Sequence, residues 1–195
     1  MKQVRLLTTI AFILLSASLM MYGREMWTGG KIFTNTEGNL QVEVPSNWVP
    51  LDLNDEAVIQ VGNPAKEIYL IVIPEVKIDL HGWNLDKHSK ITMGNLLYLV
   101  DFPEISEPEI MKINGYDAIQ YEIQGAADGI NITYILTTVE TPQYFNQILA
   151  WTLTSRYQKN KKTLKRAIES FQEVPPAKKS RHFFNDDEYR DLRRS

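Results

Sequence analysis

The chain has 195 residues, 44% hydrophobic and 23% charged, with 10 Gly, 9 Pro and no Cys. That composition fits one globular domain and excludes a disordered chain, a collagen-like or mucin-like stalk, disulfides, thiolate metal sites and a cysteine nucleophile. A formal net charge of −3 argues against a general nucleic-acid binder, so no nucleic acid is expected as a partner.

Met1 to Tyr22 has the three-part form of an export signal: Lys2 and Arg5, then an apolar stretch from Leu6 to Leu15, then the small residues Ser16, Ala17 and Ser18. Cleavage after Ser18 obeys the small-x-small rule. Leu19, Met20, Met21 and Tyr22 also extend the apolar run towards the shortest length that spans a bilayer, so residues 1–23 read as a signal peptide or as a signal anchor. In both cases the basic start stays cytoplasmic, and everything after Gly23 is expected to be periplasmic or otherwise extracytoplasmic. An exported domain without Cys suits a bacterial envelope, because small eukaryotic secreted domains usually rely on disulfides.

Residues 24–31 read as a polar tether, with order expected from near Phe33. Leu40-Gln41-Val42-Glu43-Val44 alternates apolar with polar, the pattern of a half-buried strand, and Pro45-Ser46-Asn47-Trp48 ends it. Val58 to Val61 predicts a second strand, closed by Gly62-Asn63-Pro64. Ile68 to Ile73 is apolar throughout, which predicts a central strand covered on both faces and stopped by Pro74. Asn84 is placed to cap a helix running to about Val100, with Leu85, Met93, Leu96, Leu97 and Val100 as its apolar stripe. Asp101, Pro103 and Pro108, with Glu104, Glu107 and Glu109, predict an exposed connection after it.

Ile110 to Ile113, Asn114-Gly115 and Tyr116 to Ile123 read as a β-hairpin, because Asn-Gly accepts the positive φ angles of a type I′ turn. Gly125 to Gly129 reads as the next turn, and Ile130, Ile132, Tyr134 and Leu136 alternate along another strand. Phe145 to Thr154 is apolar on both faces, with Leu149, Trp151 and Leu153 one way and Ile148 and Ala150 the other. Helices are therefore expected on both sides of the sheet. The last helix runs from about Tyr157 to Phe171, with Tyr157, Leu164, Ala167, Ile168 and Phe171 on one stripe. From residue 174 the composition turns to charge, which predicts a flexible C-terminal tail over 174–195. Short connections imply antiparallel pairing, so the expected fold is α+β: a three-layer α/β/α sandwich around a mainly antiparallel sheet of about six strands.

Particular residues in that order resemble the PsbP-like superfamily, which includes DcrB-like envelope proteins. They are Leu40 to Val44 with Pro45-Ser46-Asn47-Trp48, the hairpin Ile113-Asn114-Gly115-Tyr116-Asp117-Ala118, the paired strands 130–139 and 145–154, and the closing Leu164, Ile168, Ser170 and Phe171. The resemblance covers residues 32–173 and rests on structural motifs. It implies a non-enzymatic accessory or binding protein, often exported and associated with a membrane protein complex, and it transfers no active-site residues. The lipid-bearing cysteine common in DcrB-like proteins is absent here, and the charged tail lies outside the family pattern.

Candidates for chemistry are few. His81 lies two residues from Asp79 and seven before His88, with Glu75 and Asp86 nearby, so Asp79, His81 and His88 are candidate metal ligands. A solvated loop-to-helix junction explains the same residues. No Gly-x-Ser-x-Gly elbow, phosphate-binding loop or dinucleotide pattern is present, and no cofactor is expected. The helix face formed by Arg156, Lys159, Lys161, Lys162, Lys165 and Arg166 is a candidate surface for an acidic partner or anionic lipid, beside the reading of a solvated face. Trp83, in a polar loop, is a candidate exposed contact.

Overall fold

The computed structural model describes residues 29–37 and 39–174. The expected export segment 1–23 and the tail beyond Val174 lie outside the described residues, as does most of the tether. The chain forms β1 (Lys31–Thr34), β2 (Leu40–Val44), β3 (Val49–Pro50), β4 (Ile59–Asn63), β5 (Ile68–Val76), α1 (Leu85–Leu97), β6 (Asp101–Ile105), β7 (Glu109–Ile113), β8 (Tyr116–Ala127), β9 (Ile130–Glu140), β10 (Tyr144–Leu153), α2 (Tyr157–Glu169) and β11 (Gln172–Glu173). Eight strands build the main sheet in the order β3-β4-β5-β10-β9-β8-β6, with β7 also on β8, and every pairing is antiparallel.

Period-two alternation sorts the central strands onto two faces. Ile135 and Val139 of β9 and Ile148 and Ala150 of β10 meet Leu164, Ala167 and Ile168 of α2. Tyr134 and Leu136 of β9, with Leu149 and Trp151 of β10, meet Leu96 of α1 and Val100 just after it. This is the three-layer α+β sandwich that the alternation implies, with a helix on each face.

Local signals hold where their chemistry is self-contained. Asn84 caps α1, its Oδ1 accepting the Lys87 N–H at 2.8 Å. Asn114 and Gly115 take φ of 49° and 90°, the turn geometry expected of Asn-Gly. The Asn114 amide also donates to the Phe171 carbonyl at 2.6 Å, which ties the hairpin to the end of α2.

Three expectations are corrected. Pro74 does not stop β5, which continues to Val76. The ladder to β4 ends at Val72, so Pro74 lies where that flank of β5 is open and a missing N–H leaves no bond unmade. The segment after α1 is not a loop but the edge strand β6, whose side chains are all exposed. Acids and proline there blunt the sheet edge, a task that reads in sequence like a solvated connection. Leu40–Val44 belongs to a separate three-stranded sheet, β1-β2-β11. The Ser170 hydroxyl accepts the Glu43 N–H at 2.7 Å and fixes that sheet over the end of α2.

Candidate interaction surface

The structure separates the three candidate metal ligands. Asp79 closes a short 3-10 turn and is exposed, as is His81, while His88 is completely buried. Position 88 follows one turn into α1, and the helical period carries its side chain onto the sheet. The His88 ring stacks on Phe145 at 4.8 Å, and Trp83 meets it edge-on at 6.0 Å. Its Nε2 lies 3.2 Å from Glu75 Oε1, an electrostatic contact without hydrogen-bond alignment. Burial lowers the His88 pKa below its ordinary value, partly opposed by Glu75, so the ring is held neutral. Among the described residues no three His, Cys, Asp or Glu side chains converge to hold an ion. Trp83 is half-buried against His88, with the Lys87 Nζ 5.0 Å above its ring.

The cationic face of α2 is largely paired by acids from other elements. Arg156 binds Glu67 at 3.0 Å, Lys161 binds Glu122 at 2.9 Å, and Lys165 reaches Glu109 at 3.1 Å and Glu122 at 3.4 Å. Burial alone would raise the Glu122 carboxyl, but Tyr157, Lys161 and Lys165 outweigh it and hold the group below its usual range. Burial, then Glu122, pushes the Tyr157 phenol well above its ordinary value. Lys159 and Lys162 are exposed, and Arg166 is half-buried. The count of cations on the helix was legible in the sequence; the counter-charges from β7 and β8 were not. Trp83 sits near the start of α1, away from this face, so the structure does not join it to the basic helix.

A third feature was not singled out from the sequence. Tyr98, Leu99 and Phe102 are 91%, 73% and 93% exposed, around a Val100 that is 6% exposed. Val100 is locked inward because β8 passes beneath it at Gly125. A Cβ on Gly125 would stand 2.3 Å from Val100 Cγ1 and 2.8 Å from the Asp101 carbonyl. With Val100 turned in, its neighbours turn out. Phe102 has φ of 51°, and the register of β6 on β8 shifts between Asp101 and Glu104. A left-handed backbone at a bulky residue costs about 1–2 kcal/mol. Among the described residues, none covers the 93% exposed ring to offset that cost. The available sequence signal was a pair of large apolar residues, Tyr98-Leu99, that leave the helix stripe just before a proline.

No family model matches the sequence, and no curated protein does. Solved structures do. The PsbP protein (CyanoP) of Synechocystis sp. PCC 6803 matches with a TM-score of 0.57 at 12% identity, over 78% of this chain and 96% of that one. LpqN of Mycobacterium tuberculosis matches at 0.56 and 15% identity, over 75% of this chain and 91% of that one. The Ran-binding protein Mog1p of Saccharomyces cerevisiae matches at 0.55 and 11% identity, over 74% and 95%. The chain has the PsbP-like fold.

Two clefts open on the α2 side of this PsbP-like domain. One, of ≈ 360 Å³, lies between Pro45-Ser46-Asn47-Trp48, Lys66, Ile68 and Asn160. The other, of ≈ 350 Å³, lies between the β6 edge and the start of α2, lined by Ser106, Glu122, Tyr157 and Lys161. Its Lys161 is already paired with Glu122, and Glu104 stands exposed at its edge. Among the described residues, the largest exposed apolar side chains close together in sequence are Tyr98, Leu99 and Phe102, with Ile78 and Ile110 exposed elsewhere.

Proposed function

We propose that this chain is an exported, non-enzymatic accessory protein of a bacterial envelope, working against the membrane beside a membrane protein complex. The exposed apolar rim carries the reading: three large side chains in water, one on a strained backbone, fit a domain whose working state covers them. The export signature of residues 1–23 and the PsbP-like fold support it. Among structures of that fold, LpqN is described as involved in cell envelope biogenesis and Mog1p as Ran-binding. The test is crosslinking of the tagged protein in its own cells, followed by fractionation, identification of what is recovered, and mass spectrometry of the mature N-terminus. Recovery in a defined envelope complex is the expected result. A free monomer in the aqueous fraction overturns the reading.

A further inference from the structure

We infer that the rim bearing Tyr98, Leu99, Phe102 and Ile130 seats on the lipid bilayer, with these side chains at the headgroup boundary. The inference rests on the proposed work against the membrane, with residues 1–23 kept as the signal anchor, and names what the rim meets there. Three observations converge on it.

First, four of the exposed apolar residues, among them the two most exposed, gather at one end of the sheet, while Ile78 and Ile110 stand elsewhere. Asp101 pairs with Ala126, Ala127 with Ile130, Leu153 with Ile132, and Thr152 with Ile68. This row is one rim. Tyr98 and Leu99 lead into it, Phe102 follows it, and Ile130, 53% exposed, stands at the adjoining hairpin tip. Tyr, Phe and aliphatic side chains placed this way match the residues that partition into a membrane interface.

Second, the same rim carries exposed cations. Lys66 lies in the turn between β4 and β5, and Arg156 and Lys159 follow β10. Arg156 is shared with Glu67. Asp101 and Asp128 are the exposed acids of this end. Mixed charge around an apolar centre suits a headgroup layer better than a dry protein pocket, where each of these charges would lose its water.

Third, the chain enters from this side. Lys31 pairs with Val44, and from Val44 the residues Pro45 to Trp48 lead to the rim, where Asn63 donates to the Asn47 carbonyl at 3.2 Å. The described chain begins at Gly29, seven residues after the apolar export segment ends at Tyr22. Seven residues span at most about 25 Å. A domain of this size is about 35 Å across. A retained anchor therefore holds the near rim, and not the far one, against the bilayer.

The absence of Cys in the native chain makes the test direct. The full-length protein, with Leu99→Cys carrying the fluorophore NBD, is reconstituted into vesicles of phosphatidylethanolamine and phosphatidylglycerol. Ile78→Cys, exposed at the opposite rim, is the control. We expect the Leu99 probe to brighten several-fold, shift to the blue and be quenched by spin-labelled lipid, while the Ile78 probe stays water-like. Tyr98→Cys provides the same readout if Leu99→Cys disturbs the helix end. A water-like Leu99 probe on protein that floats with the vesicles overturns the inference and leaves the tether standing. A probe that is shielded but not quenched by lipid places a second copy on the rim, which also overturns it. Protein that does not float removes the tether, and the inference with it.

Discussion

The two helices cover the same sheet in different ways. α2 buries Leu164, Ala167 and Ile168 completely against Leu70, Val72, Ile135 and Ile148, and it also buries Asn160, whose amide donates to Thr152 Oγ1 at 2.9 Å. α1 buries His88, Ser89 and Thr92 along with Leu96. Thr92 Oγ1 turns back to the His88 and Ser89 carbonyls at 3.1 Å, while the Ser89 hydroxyl and the Thr138 hydroxyl have no side-chain hydrogen bond. Acids of β7 and β8 further clamp α2 through Lys161 and Lys165. The difference teaches where stability is stored. Apolar burial yields about 25 cal/mol per Å², and an unpaired buried polar group subtracts about 1–3 kcal/mol. Such groups occur on both sides, at His88, Ser89 and Thr138 towards α1 and at Gln120 and Asn146 towards α2. The α2 layer therefore leads through its larger set of fully buried aliphatic side chains and its ion pairs. The exposed rim follows the end of the α1 layer.

Mutations sharpen the contrast. Leu164→Ala, at a fully buried site, is expected to lower unfolding free energy by about 2–5 kcal/mol, read from denaturant midpoints. A loss under about 1 kcal/mol would mean that the α2 seam is not the main core. A pH series reaches the α1 side. Because burial lowers the His88 pKa, the unfolded chain takes up a proton first as pH falls below the ordinary value of 6.5. The contribution of neutral His88 is therefore complete above that value and is lost as pH falls through the window down to the lowered folded pKa. Melting temperature should drop across that window, and His88→Leu should remove that component. Glu75→Gln should widen the window, since Glu75 is what pulls the His88 pKa back up.

Smaller effects probe the rim and the seam. Phe102→Gly should raise stability by up to about 1 kcal/mol, because it relieves a φ of 51° and removes a ring that packs on nothing. A stabilised variant whose rim no longer engages the bilayer would show strain kept for function; a destabilised one would show that the ring packs in the free protein. Ser89→Ala should leave stability unchanged or raise it by less than about 1 kcal/mol, since the hydroxyl it removes is unpaired. A clear loss by calorimetry would show a bond at that hydroxyl and weaken the contrast between the two seams.

Legibility followed locality. Asn84 as a cap, Asn114-Gly115 as a turn, and the alternation along β9 and β10 each depend on a few neighbouring residues, and each stands in the structure as read. The continuation of β5 past Pro74, the edge strand at Asp101–Ile105 and the separate sheet around β2 depend on which partner lies alongside, and no window of sequence contains that. The candidate surfaces divide in the same way. The cations of α2 were countable, but Glu67, Glu109 and Glu122 come to them from three distant segments. His88 was visible as an ionisable group, and only packing onto Phe145 shows it to be a buried aromatic partner.

By itself the sequence determined the number of layers, the helix positions and the two-faced central strands, because hydrophobic period, capping and turn chemistry act over a few residues. Tertiary structure alone decided which charges are paired and which large apolar side chains remain in water. Tyr98, Leu99 and Phe102 face outward because Val100 is seated over Gly125 of β8, a contact between segments far apart in the chain. Exposure is a property of what folds over a residue, and only the assembled sheet determines that.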